Sequence, residues 1–253
     1  MLARMSVQGF GVDIGGSGIK GAVVDLSTGA LAAQRFKLPT PQPSSPPAVA
    51  STVAQVVAHF GWQGPLGCAF PAVVRQGVAR TAANIDPQWV GTNVQDVIGA
   101  ATGLAVKAVN DADAAGVAEA TWGAARGVRG LVVVVTLGTG IGTALLYDGV
   151  LVPNSELGHI ELDGEDAERK ASAAVREREG LSWEKWAKRL QRYFSALEFL
   201  LRPELIVVGG GVSRRADKFL PLLTLDTKIV PAQLQNEAGI VGAAYLASQS
   251  PPA

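Results

Sequence analysis

The chain is expected to fold as an α/β protein of two lobes, and three observations lead there. Apolar β-type runs cluster near the start, at Phe10–Ile14 and Ile19–Asp25, and strand-like and helical runs alternate afterwards. Two glycine-rich turns, Gly15-Gly16-Ser17-Gly18 and Gly138-Thr139-Gly140, each sit between apolar strands and stand about half a chain apart. A length of 253 residues with 48% hydrophobic and 17% charged content allows one large or two modest domains, ample for a real core.

The elements follow in order. A third strand is expected over Leu31–Leu38, joined to the second at Ser27-Thr28-Gly29. The proline-rich stretch 39–47 is too rich in proline for regular structure, and Ser45 before Pro46-Pro47 fits an N-cap opening a helix through Ala48–Phe60. Leu66–Phe70 and Val73–Val74 read as strand pieces broken by Pro71, and Val106–Val109 as another short strand. A helix from Ala112 to about Trp122 precedes the strand pair Leu131–Thr136 and Ala144–Tyr147. Residues 163–180 are charged, of mixed sign and without a clear fold signal, and are expected to be mobile. Ser182 caps a long helix in which Trp183, Trp186, Leu190, Tyr193, Phe194, Leu197, Leu200 and Leu201 form the core face, with Lys185, Lys188, Arg189 and Arg192 on a solvated face. Leu205–Val208 is a buried-type strand ending in Gly209-Gly210-Gly211, and a last helix covers roughly Glu237–Ala247. The small lobe is expected at 1–109, completed by a C-terminal helix in 238–253, and the large lobe at 110–237.

Composition excludes several classes. Acidic and basic residues balance at 22 each, so no global field recruits nucleic acid. The single cysteine, Cys68, rules out an internal disulfide and a multi-cysteine zinc site. The start Met1-Leu2-Ala3-Arg4-Met5-Ser6 lacks the apolar core of a secretion signal, and no apolar run reaches spanning length. The expectation is a cytoplasmic protein that binds neither membrane nor nucleic acid.

The glycine turns suggest anion binding. A missing Cβ lets backbone N–H groups approach a phosphate, and the hydroxyls of Ser17, Thr139 and Thr143 can add donors. Plain β-hairpins are the simpler reading of either turn alone; the pair, one carrying Asp13 and Lys20, favours two half-domains closing on one phosphate-bearing ligand. The first turn leads back into a strand and so is no dinucleotide fingerprint, and no P-loop sequence is present. A second constellation, Asn110-Asp111-Ala112-Asp113, lies between a strand and a helix. Asp111 and Asp113 would serve the helix start if read alone, but beside phosphate-binding turns Asp111 suits proton acceptance from a substrate hydroxyl. A third, Ser155-Glu156-Leu157-Gly158-His159, can turn a carboxylate and an imidazole toward ligand hydroxyls.

Taken in order, Asp13-Ile-Gly-Gly-Ser-Gly, Asn110-Asp111, Leu137-Gly-Thr-Gly-Ile-Gly, Glu156-Leu-Gly-His159 and Val207-Val-Gly-Gly-Gly-Val-Ser213 resemble the ROK family of sugar kinases and sugar-responsive repressors. The resemblance covers nearly the whole chain and implies a two-lobed actin-like/hexokinase (ribonuclease H-like) fold with the active site in the interlobe cleft. The variant Asp13-Ile-Gly-Gly-Ser-Gly-Ile-Lys-Gly, the segment Gly158-His-Ile-Glu-Leu-Asp163 and the run from Arg176 to Leu190 look like the branch that uses inorganic polyphosphate, often also ATP, to phosphorylate the 6-hydroxyl of glucose and sometimes mannose. By that resemblance Asp111 is the general base and Asn110 orients the sugar, with Glu156, His159 and Asn84 at its hydroxyls. Asp13 would face Mg2+ through water, Gly15, Gly16, Ser17, Gly18, Thr139 and Gly140 would cradle phosphates, and Gly209, Gly210 and Gly211 would lie against adenosine.

Many members follow this Gly-His with a cysteine-rich zinc site; here zinc is excluded and another group must orient His159. Glu168, in Glu-Arg-Lys-Ala-Ser, matches the family's second sugar-binding glutamate. Lys20 is the best-placed cation for polyphosphate, and Arg126, Arg129, Arg214, Arg215 and Lys218 could extend a track. Only twelve residues precede Asp13 in this sequence, so a repressor's helix-turn-helix is not expected. The family implies a homodimer. An ATP-only hexose or N-acetylmannosamine kinase and a non-catalytic sugar sensor are the alternatives.

Overall fold

A computed structural model of the chain describes residues 8–249. The leader reading at Met1–Ser6 and residues 250–253 of the expected terminal helix lie outside them. In chain order the elements are β1 (Gln8–Gly15), β2 (Gly18–Asp25), β3 (Ala30–Leu31), β4 (Phe36–Leu38), α1 (Pro46–Phe60), β5 (Leu66–Phe70), β6 (Val74–Arg75), β7 (Val78–Ala79), α2 (Val94–Thr102), β8 (Val106–Asn110) and α3 (Asp111–Trp122). Then come β9 (Leu131–Leu137), β10 (Ile141–Tyr147), β11 (Val150–Val152), β12 (Glu161–Leu162), β13 (Glu165–Asp166), α4 (Glu168–Ala171), α5 (Ala173–Arg178), α6 (Trp183–Leu201), β14 (Leu205–Gly209), β15 (Lys228–Pro231) and α7 (Ala238–Ser248).

The described residues group into two compact units, 8–118 with 237–249, and 119–236. The passage between them falls inside α3 and not at the end of β8. Ala114, on the first turns of α3, packs with Ala69 and Ala243 of the first unit, which keeps that part of the helix there. The main sheet of each unit repeats one strand order: β3-β2-β1-β5-β8 in the first, β11-β10-β9-β14-β15 in the second. In both, a hairpin is followed by two parallel strands, β5 and β8 or β14 and β15.

Strand periodicity sorts the residues of each sheet. In the first unit Phe10, Val12 and Ile14 of β1 join Leu66 and Cys68 against Val49, Val53 and Val56 of α1. The intervening positions, Gly9 and Gly11, face α7: a Cβ at Gly11 would run into the Ile240 carbonyl, and one at Gly67 of β5 into the Ala243 carbonyl. Gly242 is held equally close to the Ala114 carbonyl of α3. In the second unit Val133, Val135 and Leu137 of β9 pack on Trp186, Leu190, Tyr193, Phe194 and Leu197 of α6, while Val132 and Val134 face a separate layer with Ala144, Leu146 and Val207. Ser182 caps α6 as expected, its hydroxyl accepting from the Lys185 N–H at 3.3 Å.

Three expectations are corrected. The strand expected over Leu31–Leu38 is two pieces, because the chain pairs with β2 at Ala30–Leu31, leaves the ladder, and returns at Phe36–Leu38. The charged stretch at 163–180 is structured: it holds β13, α4 and α5, and several of its charges are paired. Asp163 meets Arg192 at 2.9 Å and Glu179 meets Arg189 at 2.7 Å, which engages two residues of the α6 face expected to be merely solvated. Leu200 is exposed and not core, since its neighbour Leu201 is the one that packs toward Phe194 and Leu197. Helix α2, capped by Asn93 through the N–H groups of Gln95 and Asp96, had no counterpart in the sequence reading. No helix among the described residues is long and apolar enough to cross a membrane.

The glycine-lined face of the first sheet generates a test. Gly11→Ala forces its methyl into a helix carbonyl that has no side-chain freedom with which to yield. It should cost about 3 kcal/mol or more in urea unfolding, whereas Gly16→Ala, whose Cβ would meet nothing nearer than 3.9 Å, should cost far less.

Candidate active site

The first glycine turn is a β-hairpin, Gly15 opposite Gly18, with Gly16-Ser17 at its tip. Asp13 and Lys20 are directly opposed on the two strands and form an ion pair, Nζ to Oδ2 2.9 Å. Lys20 therefore spends charge on Asp13. Lys37 of β4 is opposite Lys20 on the other side of β2, and its stem lies across Gly18, where a Cβ would collide with it. Thr40 donates from its hydroxyl to the Gly15 carbonyl, fixing one end of the turn. Asn84 is exposed, with its carbonyl 3.9 Å from where a Gly16 Cβ would stand, so the 82–85 segment runs beside the turn. Gly239 at the start of α7 would place a Cβ 2.9 Å from Asp13 Oδ2, so that end of the helix also closes on the carboxylate.

Asn110 ends β8 and caps α3. Its side-chain oxygen accepts from the N–H groups of Ala112 at 2.9 Å and Asp113 at 3.1 Å, and its amide donates to the Ala72 carbonyl at 3.1 Å. The residue is 7% exposed, and the capping duty weighed for Asp111 falls largely to it. Asp111 is half-buried, its Oδ1 accepting from the Ala112 N–H at 2.8 Å. A carboxylate at the first position of a helix sits in the favourable field of unpaired N–H groups.

In the second unit the first residues of β10 act as a hub. The second glycine turn spans Gly138-Thr139-Gly140 between Leu137 and Ile141. The Ile141 N–H donates to Glu168 Oε2 at 2.7 Å, and the space opened by the missing Cβ of Gly140 is taken by that carboxylate. The Ile141 carbonyl presses on Gly158, where a Cβ would not fit. Thr143 is 1% exposed; its hydroxyl donates to the Ser155 carbonyl at 2.9 Å and accepts from the Leu157 N–H at 3.0 Å. The donor expected of Thr143 toward phosphate is thus used to hold the loop that carries Glu156. Ser17 and Thr139 are exposed.

That hub brings Glu156, His159 and Glu168 together. His159 Nδ1 lies 2.8 Å from Asp166 Oδ2, and Nε2 lies 3.7 Å from Glu156 Oε2. Asp166 Oδ1 accepts from the Glu168 N–H, the first of α4, at 2.9 Å. Asp166 is the residue that orients the imidazole here, and sequence reading missed it. The only signal was its position two residues before Glu168. Burial pushes the Glu156 carboxyl up, opposed by His159 and reinforced by the Glu168 charge. The hydrogen bond to Asp166 raises the His159 imidazole, against partial burial and with help from Glu168, Asp166 and Glu156.

The third glycine run lies at the same end of the second sheet. Gly209 pairs with Thr136, and Gly210, at φ +80°, is held so close to the Leu137 backbone that no side chain would fit. Gly211 meets nothing within 4 Å on its open side. Of the other expected cations, Lys218 pairs with Asp217 at 3.4 Å and Arg215 lies 6.0 Å from the Trp183 ring, while Arg126, Arg129 and Arg214 are exposed. Cys68 is buried, its thiol pushed up to about 12 by burial, and is inert. A half-buried carboxylate such as Asp13 fits a magnesium ion, which keeps several waters and takes one or two carboxylates besides substrate phosphates. No group of three or more His, Cys, Asp or Glu among the described residues could hold a metal by itself.

Strand order, paired glycine turns and an acid opening α3 are features of sugar kinases with the actin-like/hexokinase fold. The ROK family model matches residues 9–181, and the chain belongs to the ROK family. It is 55% identical over 238 residues to a polyphosphate glucokinase of Mycobacterium tuberculosis, covering 94% of this chain and 90% of that one. It superposes on the inorganic polyphosphate/ATP-glucomannokinase of Arthrobacter sp. strain KM with a TM-score of 0.94 and 54% identity, covering 96% and 98% of the two chains. A ROK family glucokinase from Streptomyces griseus, in complex with glucose and AMPPNP, matches at a TM-score of 0.84 and 25% identity, covering 96% and 100%.

The His159 environment sets a pH test. A raised imidazole stabilises the fold below the unfolded ring's value, and the contribution fades as pH rises through the folded value. The melting midpoint of the wild type should exceed that of His159→Gln by more at about pH 5.5 than at about pH 8.5. The ring's exposure limits the change to roughly 1–2 °C.

Proposed function

We propose that this chain is a glucokinase that phosphorylates the 6-hydroxyl of glucose from inorganic polyphosphate or ATP, and that it also accepts mannose. The observation that carries the reading is the likeness to the mycobacterial and Arthrobacter enzymes along nearly the whole chain. The geometry of the two units supports it.

Asp111 accepts the proton of the 6-hydroxyl as its oxygen attacks the terminal phosphorus of the donor, and the bond from that phosphorus to the bridging oxygen breaks. Phosphoryl transfer passes through a loose transition state, so holding the hydroxyl in line matters more than base strength. Asn110 supports this by fixing the start of α3 and hence the Asp111 backbone. Glu156, His159 and Glu168 take the ring hydroxyls, and Asn84 adds a contact. Magnesium, when bound, neutralises phosphate charge, and Asp13 would hold it through water. Gly15, Gly16, Ser17, Gly18, Thr139 and Gly140 are assigned to the donor's phosphates, and Gly209, Gly210 and Gly211 to the adenosine of ATP. Lys37, whose stem crosses the first turn, adds a cation there, since Lys20 is paired with Asp13.

The decisive assay offers glucose or mannose with magnesium and either long-chain polyphosphate or ATP to the purified protein, and measures the sugar 6-phosphate. Product with both donors is expected; none with polyphosphate would reduce the reading to an ATP-dependent kinase. Asp111→Asn should lower turnover by about 100-fold or more while glucose still binds, the range for loss of a general base. Lys37→Met should weaken polyphosphate several-fold more than ATP, and polyphosphate saturation should fall more steeply with salt.

A further inference from the structure

We propose that Asp166 is a positioning residue that fixes which ring nitrogen of His159 carries the proton, so that Nε2 is presented to a sugar hydroxyl as an acceptor. The inference rests on reading His159 as a sugar contact.

The two oxygens of Asp166 have different partners. Oδ1 accepts from the Glu168 N–H at 2.9 Å, and Oδ2 stands 2.8 Å from His159 Nδ1. A backbone N–H can only donate, and a carboxylate can only accept. Both contacts are satisfied together when Nδ1 carries hydrogen. The neutral ring is then Nδ1–H, and its lone pair is on Nε2, 3.7 Å from Glu156 Oε2. That separation is too long for a direct hydrogen bond between them. Two acceptors thus stand side by side, an imidazole nitrogen and a carboxylate oxygen. Such a pair suits two neighbouring hydroxyls, each donating one hydrogen. The partner chemistry is a vicinal diol, which a hexose ring supplies.

The same geometry makes the asparagine variant unusually informative. In Asp166→Asn the amide oxygen must face the Glu168 N–H, because the opposite orientation sets two donors against each other and leaves that N–H without its acceptor. The amide NH2 then faces Nδ1 and donates to it. The proton is forced to Nε2, where it points toward Glu156, and the acceptor offered to the sugar is lost. The bond to the Glu168 N–H survives, so a merely structural role of Asp166 would leave the variant unchanged.

The test uses the full chain labelled with 15N. There are only two histidines, and His59, stacked on Phe36 with ring centroids 3.9 Å apart, serves as internal reference. Long-range proton–nitrogen correlation at about pH 8.5, where imidazoles are mostly neutral, should show His159 as the Nδ1–H form in the wild type and the Nε2–H form in Asp166→Asn. The variant's KM for glucose should rise about tenfold, the worth of one good hydrogen bond, with kcat within about threefold because Asp111 is untouched. A wild-type ring in the Nε2–H form overturns the proposal without need of any variant. So does an Asp166→Asn protein whose ring is unchanged, or one whose ring is inverted while its KM for glucose is not. Absence of sugar phosphate from the wild type would instead defeat the kinase reading, and the ring measurement would still decide what Asp166 does.

Discussion

The peptide between Gly140 and Ile141 and the residue after it organise the polar centre of the second unit. The Ile141 N–H holds the Glu168 carboxylate, its carbonyl sets the distance to Gly158, and two residues later Thr143 fastens the loop from Ser155 to Leu157. Three side chains from separate parts of the sequence, Glu156, His159 and Glu168, are thereby referred to one strand end. A strand inside a sheet is among the least mobile parts of a domain, and groups anchored to it lose little on meeting a ligand. This also explains the glycines at 140 and 158, which clear the way for a carboxylate and for a carbonyl respectively.

The first unit reaches a similar rigidity by another route. Its sheet carries glycine where α7 crosses it, and α3 meets α7 at Gly242, so backbone packs on backbone with little side-chain padding. Close-packed interiors transmit position well because they have few alternative arrangements. Asp13 sits at the end of the glycine row on β1 beside Gly239, and Asp111 opens the helix that leans on Gly242. The backbone under each acid is set by this packing, and Asp13 is held in addition by its 2.9 Å ion pair with Lys20.

Much of this was legible in the sequence. The β9 run Leu-Val-Val-Val-Val-Thr-Leu and the 3.6-residue spacing of α6 announced their elements, and the glycine turns marked the hairpin tips. What escaped were arrangements that need two distant segments at once. Asp166 meets His159 because β12 and β13 fold back with Glu161 opposite Asp166, which no linear spacing reveals. In 163–180, Ala167, Ala171 and Ala173 are buried against α6, Trp186 donates to the Ala171 carbonyl, and Arg189 and Arg192 of the same helix reach across to Glu179 and Asp163. Thr143 looked like a free hydroxyl until the loop at Ser155 was placed against it. Lys37 was invisible as a partner of the first turn because β4 rejoins β2 after a break in the ladder.

The division of the first unit into two stretches of sequence bears on the order in which the protein takes shape during synthesis. Helix α7 emerges after the whole of the second unit, yet it covers β1 and β5, which are made early. The second unit is continuous and can close while the first still lacks a layer, and contacts of such long sequence separation form slowly. The surface left waiting is the one lined by Gly9, Gly11 and Gly67, which offers backbone and little side-chain hydrocarbon. The glycines that admit the helix at the end also leave the unfinished sheet with little to attract a stray partner in the meantime.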